Sequence, residues 1–216
     1  MNTKDLEIWK IVVGPLKTNT YILVNRLSRA LIIDPGPTSF QRIIYMLDRN
    51  YITGIEYIIL THGHFDHITD AQSIKEVTKA KIVMHVNDFE LLDYSKHMAY
   101  KYGVLFRYPE VDYFISSNHR IQFGNEYIEL LWTPGHTKGS IAIALHKHRI
   151  LFTGDTLLPK GMIYIDPING SIDDYIASLD YLTRIAKGYI VYPGHGEKKS
   201  LKELIELARN QIKLFV

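Results

Sequence analysis

Thr61-His62-Gly63-His64-Phe65-Asp66-His67 is the most informative stretch of this sequence. Histidine and aspartate are common metal ligands, but so many of them in so few positions cannot all reach one ion comfortably. The alternating His62 and His64 can converge on one metal, whereas the adjacent Asp66 and His67 turn toward a second. The spacing therefore predicts two metal ions.

Three further candidate ligands lie at the ends of predicted strands, each directly after a glycine. They are His136, Asp155 and His195. A strand holds the backbone rigidly and a glycine allows close approach, so strand ends of this kind are where sites are built. The remaining histidines, at positions 85, 97, 119, 146 and 148, are predicted to be structural or solvated rather than ligands.

Composition narrows the chemistry further. The chain has 216 residues, no cysteine, ten histidines and a formal net charge of +2. Without cysteine, a disulfide framework, a thiolate zinc site, an iron–sulfur cluster and a cysteine nucleophile are all excluded. The charge does not call for a nucleic-acid partner. Residues 1–5 do not resemble a signal peptide and no apolar run could span a bilayer, so we expect a cytoplasmic protein without membrane contact.

The chain reads as strands punctuated by helices, in two comparable halves. We predict two packed sheets with helices outside, in one domain over residues 1–216. Ser39 is predicted to cap a helix, and Asn87 with Glu90 to form a capping box. Residues 94–118 are predicted to be a long loop or lid. The predicted strands cover residues 7–13, 21–24, 30–33, 55–60, 82–85, 127–132, 141–145, 150–152 and 189–192. The predicted helices begin at residues 39, 70, 87, 171 and 201, and the last ends at residue 214.

Several motifs in a fixed order resemble the metallo-β-lactamase-fold hydrolases, and among them the glyoxalase II-like single-domain group. They lie at residues 13–16, 19–23, 32–36, 61–67, 133–137, 153–157 and 192–196. The resemblance implies an α/β (α+β) four-layer αβ/βα sandwich with the site at one edge. It also implies that His62, His64 and His136 bind a first metal, that Asp66, His67 and His195 bind a second, and that Asp155 bridges both. Asp34 matches a position that supports the histidine loop.

The reaction implied is hydrolysis of a small-molecule thioester or related ester by hydroxide shared between two divalent ions, with Asp66 orienting the attacking oxygen. Zinc is the expected ion, although imidazole and carboxylate also suit iron and manganese. Asp155 stands where common β-lactamases carry a cysteine, which disfavours β-lactams. Residues 157–166 lack the Gly-Arg segment usual in glyoxalase II-like enzymes, and no glutathione-binding domain is present, which counts against a glutathione thioester.

Three alternatives remain open at this point. A persulfide dioxygenase would use the first site alone to hold iron, and residues 66–69 resemble such enzymes. A compact lactamase-like endoribonuclease would need the same ligands. A metal-binding module without catalysis is the third.

Overall fold

The apolar runs in the first half of the chain pair into one sheet. The computed structural model describes residues 6–213, apart from the side chain of Lys160. In spatial order the strands of this sheet are β1 (Leu6–Val13), β2 (Thr18–Asn25), β3 (Arg29–Ile33), β4 (Gly54–Ile59), β5 (Lys81–His85) and β6 (Tyr113–Ile115). The pairs from β1 to β3 are antiparallel, and those from β3 to β6 are parallel.

The second half of the chain forms a second sheet, whose strands lie side by side in the order in which they follow one another along the chain. Its strands are β7 (His119–Phe123), β8 (Glu126–Trp132), β9 (Ile141–Leu145), β10 (Ile150–Gly154), β11 (Ile190–Pro193) and β12 (Lys199–Ser200). Only the pairing of β10 with β11 is parallel among these described strands. A short 3-10 helix at His146–His148 connects β9 to β10.

Helices cover the outer face of each sheet. They are α1 (Ser39–Asp48), α2 (Phe65–Ile68), α3 (Ala71–Thr78), α4 (Leu91–Lys101), α5 (Ile172–Ile185) and α6 (Leu201–Ile212). Among the helices of residues 6–213, none is both long and apolar enough to cross a membrane. The predictions about residues 1–5 and about a helix end at residue 214 lie outside the described part of the chain.

Side-chain alternation along the strands produces three apolar layers. On β2, Ile22 and Val24 face α1 and α3, whereas Tyr21 and Leu23 face the second sheet. The third layer lies between the second sheet and α5 and α6, where Leu151 and Leu179 meet. Three apolar layers separate four layers of backbone, so the four-layer αβ/βα sandwich is confirmed.

The prediction of a long loop at residues 94–118 was wrong. Most of α4 and all of β6 lie within this segment. The helix buries Leu91, Leu92, Ser95 and Ala99 on one face, but the partly buried Tyr94 and Met98 lie between them, and Ser95 is polar, so the period of this pattern is obscured in the sequence. Strand β7 was also missed, because only Ile121 and Phe123 among its residues are buried.

Neither of two predicted helix caps forms. The Ser39 side chain does not cap α1; instead the Asp70 carboxylate accepts hydrogen bonds from the Phe40 backbone N–H and the Ser39 hydroxyl. The predicted box of Asn87 and Glu90 is absent as well: the Asn87 backbone N–H donates to the ring of His85, two residues away, and the Glu90 side chain caps no helix. Ser171, where a helix is predicted to begin, caps α5 by accepting from the Asp174 backbone N–H. A tertiary contact therefore replaces local capping at α1, whereas a different local side chain replaces it after β5.

Candidate metal centre

The histidine loop leaves the buried end of β4 and enters α2. His62 and His64 lie in the extended part of the loop, and α2 begins immediately after them, with Asp66 and His67 in its first turn. His62, Asp66 and His67 are buried. The change from extended to helical backbone turns the second pair of side chains away from the first, as the spacing predicts.

The first group of donor atoms consists of His62, His64 and His136. His64 Nδ1 lies 3.1 Å from His62 Nε2 and 3.1 Å from His136 Nε2. Nitrogen atoms bound at 2.0–2.1 Å around one tetrahedral ion would be separated by about 3.3 Å. The three imidazoles are thus spaced as ligands of a single ion would be.

The second group consists of Asp66, His67 and His195. The Nε2 atoms of His67 and His195 are 3.3 Å apart, and Asp66 Oδ2 lies 3.4 Å from each of them. His195 reaches this position from the loop after β11, so the group joins one sheet to the other.

Asp155 lies between the two groups, at the end of β10. Its Oδ1 is 3.5 Å from His67 Nε2, its Oδ2 is 3.4 Å from His195 Nε2, and the residue also groups with His62. The Oδ1 atom is buried and has no hydrogen-bond partner. A buried carboxylate oxygen without a donor is costly unless a cation satisfies it, so this orphaned atom fits a metal ligand.

The outward-facing ring nitrogen of every histidine in the two groups contacts an oxygen. The pairs are His62 Nδ1 with Thr61 Oγ1 (3.0 Å), His64 Nε2 with Asp166 Oδ2 (2.8 Å), His67 Nδ1 with Asp34 Oδ2 (2.9 Å), His136 Nδ1 with the Tyr164 carbonyl (2.7 Å) and His195 Nδ1 with the Leu16 carbonyl (3.1 Å). Carbonyl and carboxylate oxygens only accept, so the outward nitrogen donates. In a neutral ring, the inward nitrogen then offers its lone pair to a metal.

Asp34 ties the histidine loop to the end of β3. Its carboxylate accepts from the Thr61 backbone N–H (2.7 Å), from the Thr61 hydroxyl (2.6 Å) and from His67 Nδ1. Because the Thr61 hydroxyl donates to Asp34, it is available to accept from His62. The contacts expected of Asp34 are present, while its effect on metal binding stays a prediction.

Burial and charge shift the histidine pKa values of the two groups in opposite directions. Burial, reinforced by neighbouring histidines, holds the pKa of His62 well below its ordinary value and lowers that of His136 to about 4. Burial also opposes protonation of His67 and His195, but nearby carboxylates outweigh it and raise their pKa values to about 9 and about 11. Burial raises the pKa of Asp66, yet His67, His195 and Thr18 bring it down to about 2.

A sequence model of a known protein family matches most of this chain. The model of the metallo-beta-lactamase superfamily matches residues 13–195, a span that includes every residue of both groups. The chain belongs to the metallo-beta-lactamase superfamily.

Relatives and solved structures agree with this superfamily assignment. A probable metallo-hydrolase of Methanocaldococcus jannaschii is 30% identical over 83% of this chain and 88% of its own length. The hydroxyacylglutathione hydrolase GloC of Haemophilus influenzae is 28% identical over 86% of this chain and 89% of its own. Among solved structures, the B3 metallo-beta-lactamase BLEG-1 superposes with a TM-score of 0.82 and 26% identity, covering 93% of this chain and 97% of its own.

Sequence reasoning missed Asp88, a fully buried carboxylate beside the first group of this superfamily site. It accepts from the Gly63 backbone N–H (2.9 Å), the Thr137 hydroxyl (2.7 Å) and the Gly139 backbone N–H (2.7 Å). Asp88 thus holds the loop that carries His62 and His64 against the loop that carries His136. Its position just after β5, at the sheet edge where Asp34 also lies, is the signal that could have revealed it.

Two residues at the start of β2 were also missed. The Thr18 hydroxyl donates to Asp66 Oδ2 at 2.6 Å, and the Asn19 side-chain amide donates to the carbonyls of Pro193 (2.9 Å) and Gly196 (2.8 Å). The Thr18 contact fixes the position of Asp66, and the two Asn19 contacts hold the loop that carries His195. The Thr18 contact joins two distant segments of the first half of the chain, and the Asn19 contacts cross from one sheet to the other, which no local sequence pattern reports.

Gly194 shows how tightly the backbone approaches the centre. A Cβ atom at this position would lie 2.1 Å from Asp155 Oδ1 and 2.8 Å from His67 Cε1. Any other residue would therefore occupy the space between donors of the two groups. The glycine is required for this close approach rather than for its backbone angles.

The other histidines lie outside both groups, as predicted. His85 stacks on Trp132 with ring centroids 5.1 Å apart. His146 contacts Glu129 and His148 contacts Glu126, in ion pairs near the surface. His97 and His119 are exposed.

A cavity of about 280 Å³ opens beside the centre. Its wall combines four members of the centre with aromatic and apolar side chains, several of them from α4. The lining residues are Leu16, His64, Phe65, Asp66, Tyr94, Ser95, Met98, Tyr102, Asp155, Tyr164 and His195. The segment expected to be a lid therefore supplies one wall of this cavity as a helix.

Proposed function

We propose that this protein is a metal-dependent hydrolase that holds two divalent cations and cleaves a small-molecule thioester or related ester. One observation carries the proposal: two groups of inward-facing donor atoms meet at the unpartnered oxygen of Asp155. A single-ion centre would not require the second group of Asp66, His67 and His195. The cavity beside them gives a small substrate access to both.

His62, His64 and His136 would hold one cation, Asp66, His67 and His195 the other, and Asp155 both. This set contains only imidazole nitrogens and carboxylate oxygens, which suit zinc, our expected ion, and also iron or manganese. When bound, two such cations make hydroxide available near neutral pH and act as Lewis acids toward a carbonyl oxygen.

The chain's own residues would position the reactants. Asp66 faces the cavity, and the Thr18 hydroxyl fixes one of its oxygens, so the carboxylate is oriented to accept a hydrogen bond from an attacking water. Ser95 is the only hydroxyl of serine or threonine type among the described lining residues, and it donates to the Gly63 carbonyl. The lining therefore offers no activated serine nucleophile, which favours water as the attacking group.

The substrate class rests on similarity and on the lining together. GloC, a hydroxyacylglutathione hydrolase by name, aligns along most of both chains, which supports a thioester. The similar fold of BLEG-1 makes a β-lactam the competing substrate to test. A nucleic-acid substrate finds less support, because Lys and Arg are absent from the described cavity lining.

Metal analysis and a substrate panel test the proposal together. Protein purified without added metal is analysed for zinc, iron and manganese, and then assayed against thioesters, lactones, β-lactams, phosphodiesters and persulfides. We expect close to two metal ions per chain and fastest turnover of a thioester, with activity lost on chelation and restored by zinc.

Three results would overturn the proposal. One iron per chain with oxygen consumption on a persulfide would assign a dioxygenase instead. Faster turnover of a β-lactam or a phosphodiester than of every thioester would place the activity in a different hydrolase class. If protein with metal bound at both groups showed none of these activities, the protein would be a metal-binding module without catalysis.

A further inference from the structure

The cavity beside the centre has an aromatic side that the hydrolytic chemistry does not use. We call Phe65, Tyr94, Met98, Tyr102 and Tyr164 the aromatic pocket; all of them line the cavity. The rings of Phe65 and Tyr102 stack with centroids 5.3 Å apart and an interplanar angle of 28°. Tyr164 packs edge-on against His64, 6.1 Å away. The aromatic pocket therefore begins at the first donor group and extends toward α4.

Positive charge is absent from the described lining of this cavity. Its ionisable groups other than tyrosine are the histidines and aspartates assigned to the centre. On α4, Lys96 is directed elsewhere, since its Nζ lies 5.2 Å from the ring centroid of Tyr108, and Lys101, which precedes the lining residue Tyr102, is exposed and does not line the cavity. Lys17 follows the lining residue Leu16 but is itself exposed. An anionic group inside the aromatic pocket would lose hydration without gaining an ion pair.

The size of the cavity suits a ring or a short aliphatic chain. A cavity of about 150 Å³ is enough to hold benzene, and this one measures about 280 Å³. Aromatic side chains add stacking and edge-to-face contacts to the gain from burying apolar surface. Six of the described lining residues are aromatic or apolar, and three tyrosine hydroxyls are the polar groups of the aromatic pocket. Small-molecule sites commonly combine hydrophobic and aromatic walls with a few polar groups that fix the orientation of the ligand.

We propose that the aromatic pocket receives an uncharged aromatic or aliphatic acyl group, so that the substrates are thioesters or esters of apolar rather than anionic acids. This inference rests on the proposed hydrolase function and specifies its substrate class. The reacting carbonyl would lie at the centre, and the acyl chain would extend from His64 toward Phe65 and Tyr102.

Three thioesters that share N-acetylcysteamine as the thiol provide the test. The metal-loaded protein is assayed with 3-phenylpropanoyl, acetyl and succinyl derivatives, which differ only in the acyl group. We expect kcat/KM for the phenylpropanoyl compound to exceed that for the succinyl compound by at least about tenfold, the equivalent of about 1.4 kcal/mol. Equal or faster turnover of the succinyl compound would overturn the inference.

Matched tyrosine variants locate the preference within the molecule. Tyr102→Ala removes the ring that stacks on Phe65, and should lower the ratio of phenylpropanoyl to acetyl turnover several-fold, through KM more than kcat. Tyr100→Ala is the control, because Tyr100 lies on α4 but is 83% exposed and does not line the cavity. An unchanged ratio in Tyr102→Ala would contradict the assigned acyl position.

A binding measurement separates failure of this inference from failure of the proposed function. If no thioester is hydrolysed, the hydrolase proposal fails, and the pocket is tested with 3-phenylpropanohydroxamate and succinic monohydroxamate. Both carry the same metal-binding group, and calorimetry with the metal-loaded protein gives their affinities. Tighter binding of the phenyl compound supports an apolar pocket without hydrolase function, whereas equal or weaker binding overturns the pocket assignment itself.

Discussion

The two donor groups share Asp155 but differ in their charge. The first contains three imidazoles, and burial lowers the pKa values of His62 and His136. The second places His67 and His195 against carboxylates that raise their pKa values. Ion pairs can therefore hold the second group together without a metal. In the first group, the lone pairs of the inward-facing imidazole nitrogens lie close together, and few nearby groups offset their repulsion. A cation relieves repulsion in the first group and replaces protons in the second.

The groups also differ in how the fold supports them. The first is fixed by carboxylates from outside the centre: Asp88 joins its two loops, and Asp166 contacts His64. The second is fixed from β2, through Thr18 and Asn19, and by the Asp34 carboxylate at the end of β3, which accepts from His67. Substitutions in these supports should therefore affect one group more than the other, and metal stoichiometry can measure the difference.

Asp155→Ala should have the largest effect, because Asp155 lies between the two donor groups and contacts residues of both. We expect loss of the second metal, weaker binding of the first, and hydrolysis at background. Metal analysis after dialysis measures the first two effects, and circular dichroism confirms folding. Full retention of two metals would contradict the shared role of Asp155, and with it the idea of one centre built from two groups.

Asp66→Ala should separate the groups. It removes a donor from the second group alone, so we expect one metal to remain while hydrolysis falls by about 10²–10⁴-fold, the range for a residue that handles a proton in the transition state. Asp173→Ala is the control, since this aspartate is exposed on α5. Unchanged turnover with one metal bound would argue for chemistry at the first group alone.

The sequence predicted the donors of both groups because they are concentrated at strand ends with distinctive spacing. His62, His64, Asp66 and His67 form one short motif, and short apolar runs bounded by turn signals located most of the strands. The four-layer architecture followed from the resemblance. It agrees with the packing of β2, on which successive side chains enter two different apolar layers. Whether these donors bind metal stays a prediction.

The sequence could not predict the supports, since each depends on contacts between distant segments. Asp88 and Gly139 are separated by 51 positions, and Thr18 and Asp66 by 48. Helix α4 was only partly predicted for a related reason: the helix predicted from residue 87 gives way to a predicted loop at residue 94, whereas tertiary neighbours define the buried face of α4 as far as Ala99. Local sequence patterns therefore identify candidate ligands at strand ends more readily than they identify the residues that position those ligands.

Asp88→Asn should weaken the first group selectively. The four neighbours of this carboxylate all donate, so an amide would place its own N–H₂ against one or more donors. We expect metal affinity at the first group to fall by about 10–100-fold, the usual effect of removing a residue that orients ligands. Competition with a chelator measures it, in protein already carrying Asp66→Ala so that only the first group binds.

Asp112→Asn is the matched control for Asp88. Asp112 also accepts a backbone N–H, from Ile82, but it pairs with Lys75 and Lys81 and contacts neither group. It should lower thermal stability without changing metal affinity. Equal loss of affinity in both variants would mean that Asp88 acts through general stability rather than through the two loops.

Thr18→Val should give the smallest effect and confine it to the second group. The substitution keeps the shape of the side chain but removes the hydrogen bond to Asp66 Oδ2, a contact with a charged group worth about 1.5–3 kcal/mol. Part of that energy is recovered when the metal itself orients Asp66, so we expect affinity at the second group to fall by roughly tenfold. Thr20→Val on the same strand is the control, because the buried Thr20 hydroxyl bonds only to backbone of Asp34 and Gly36. A larger effect of Thr20→Val on the second metal would show that β2 acts through the backbone beneath the histidine loop, and would remove Thr18 from the supports of Asp66.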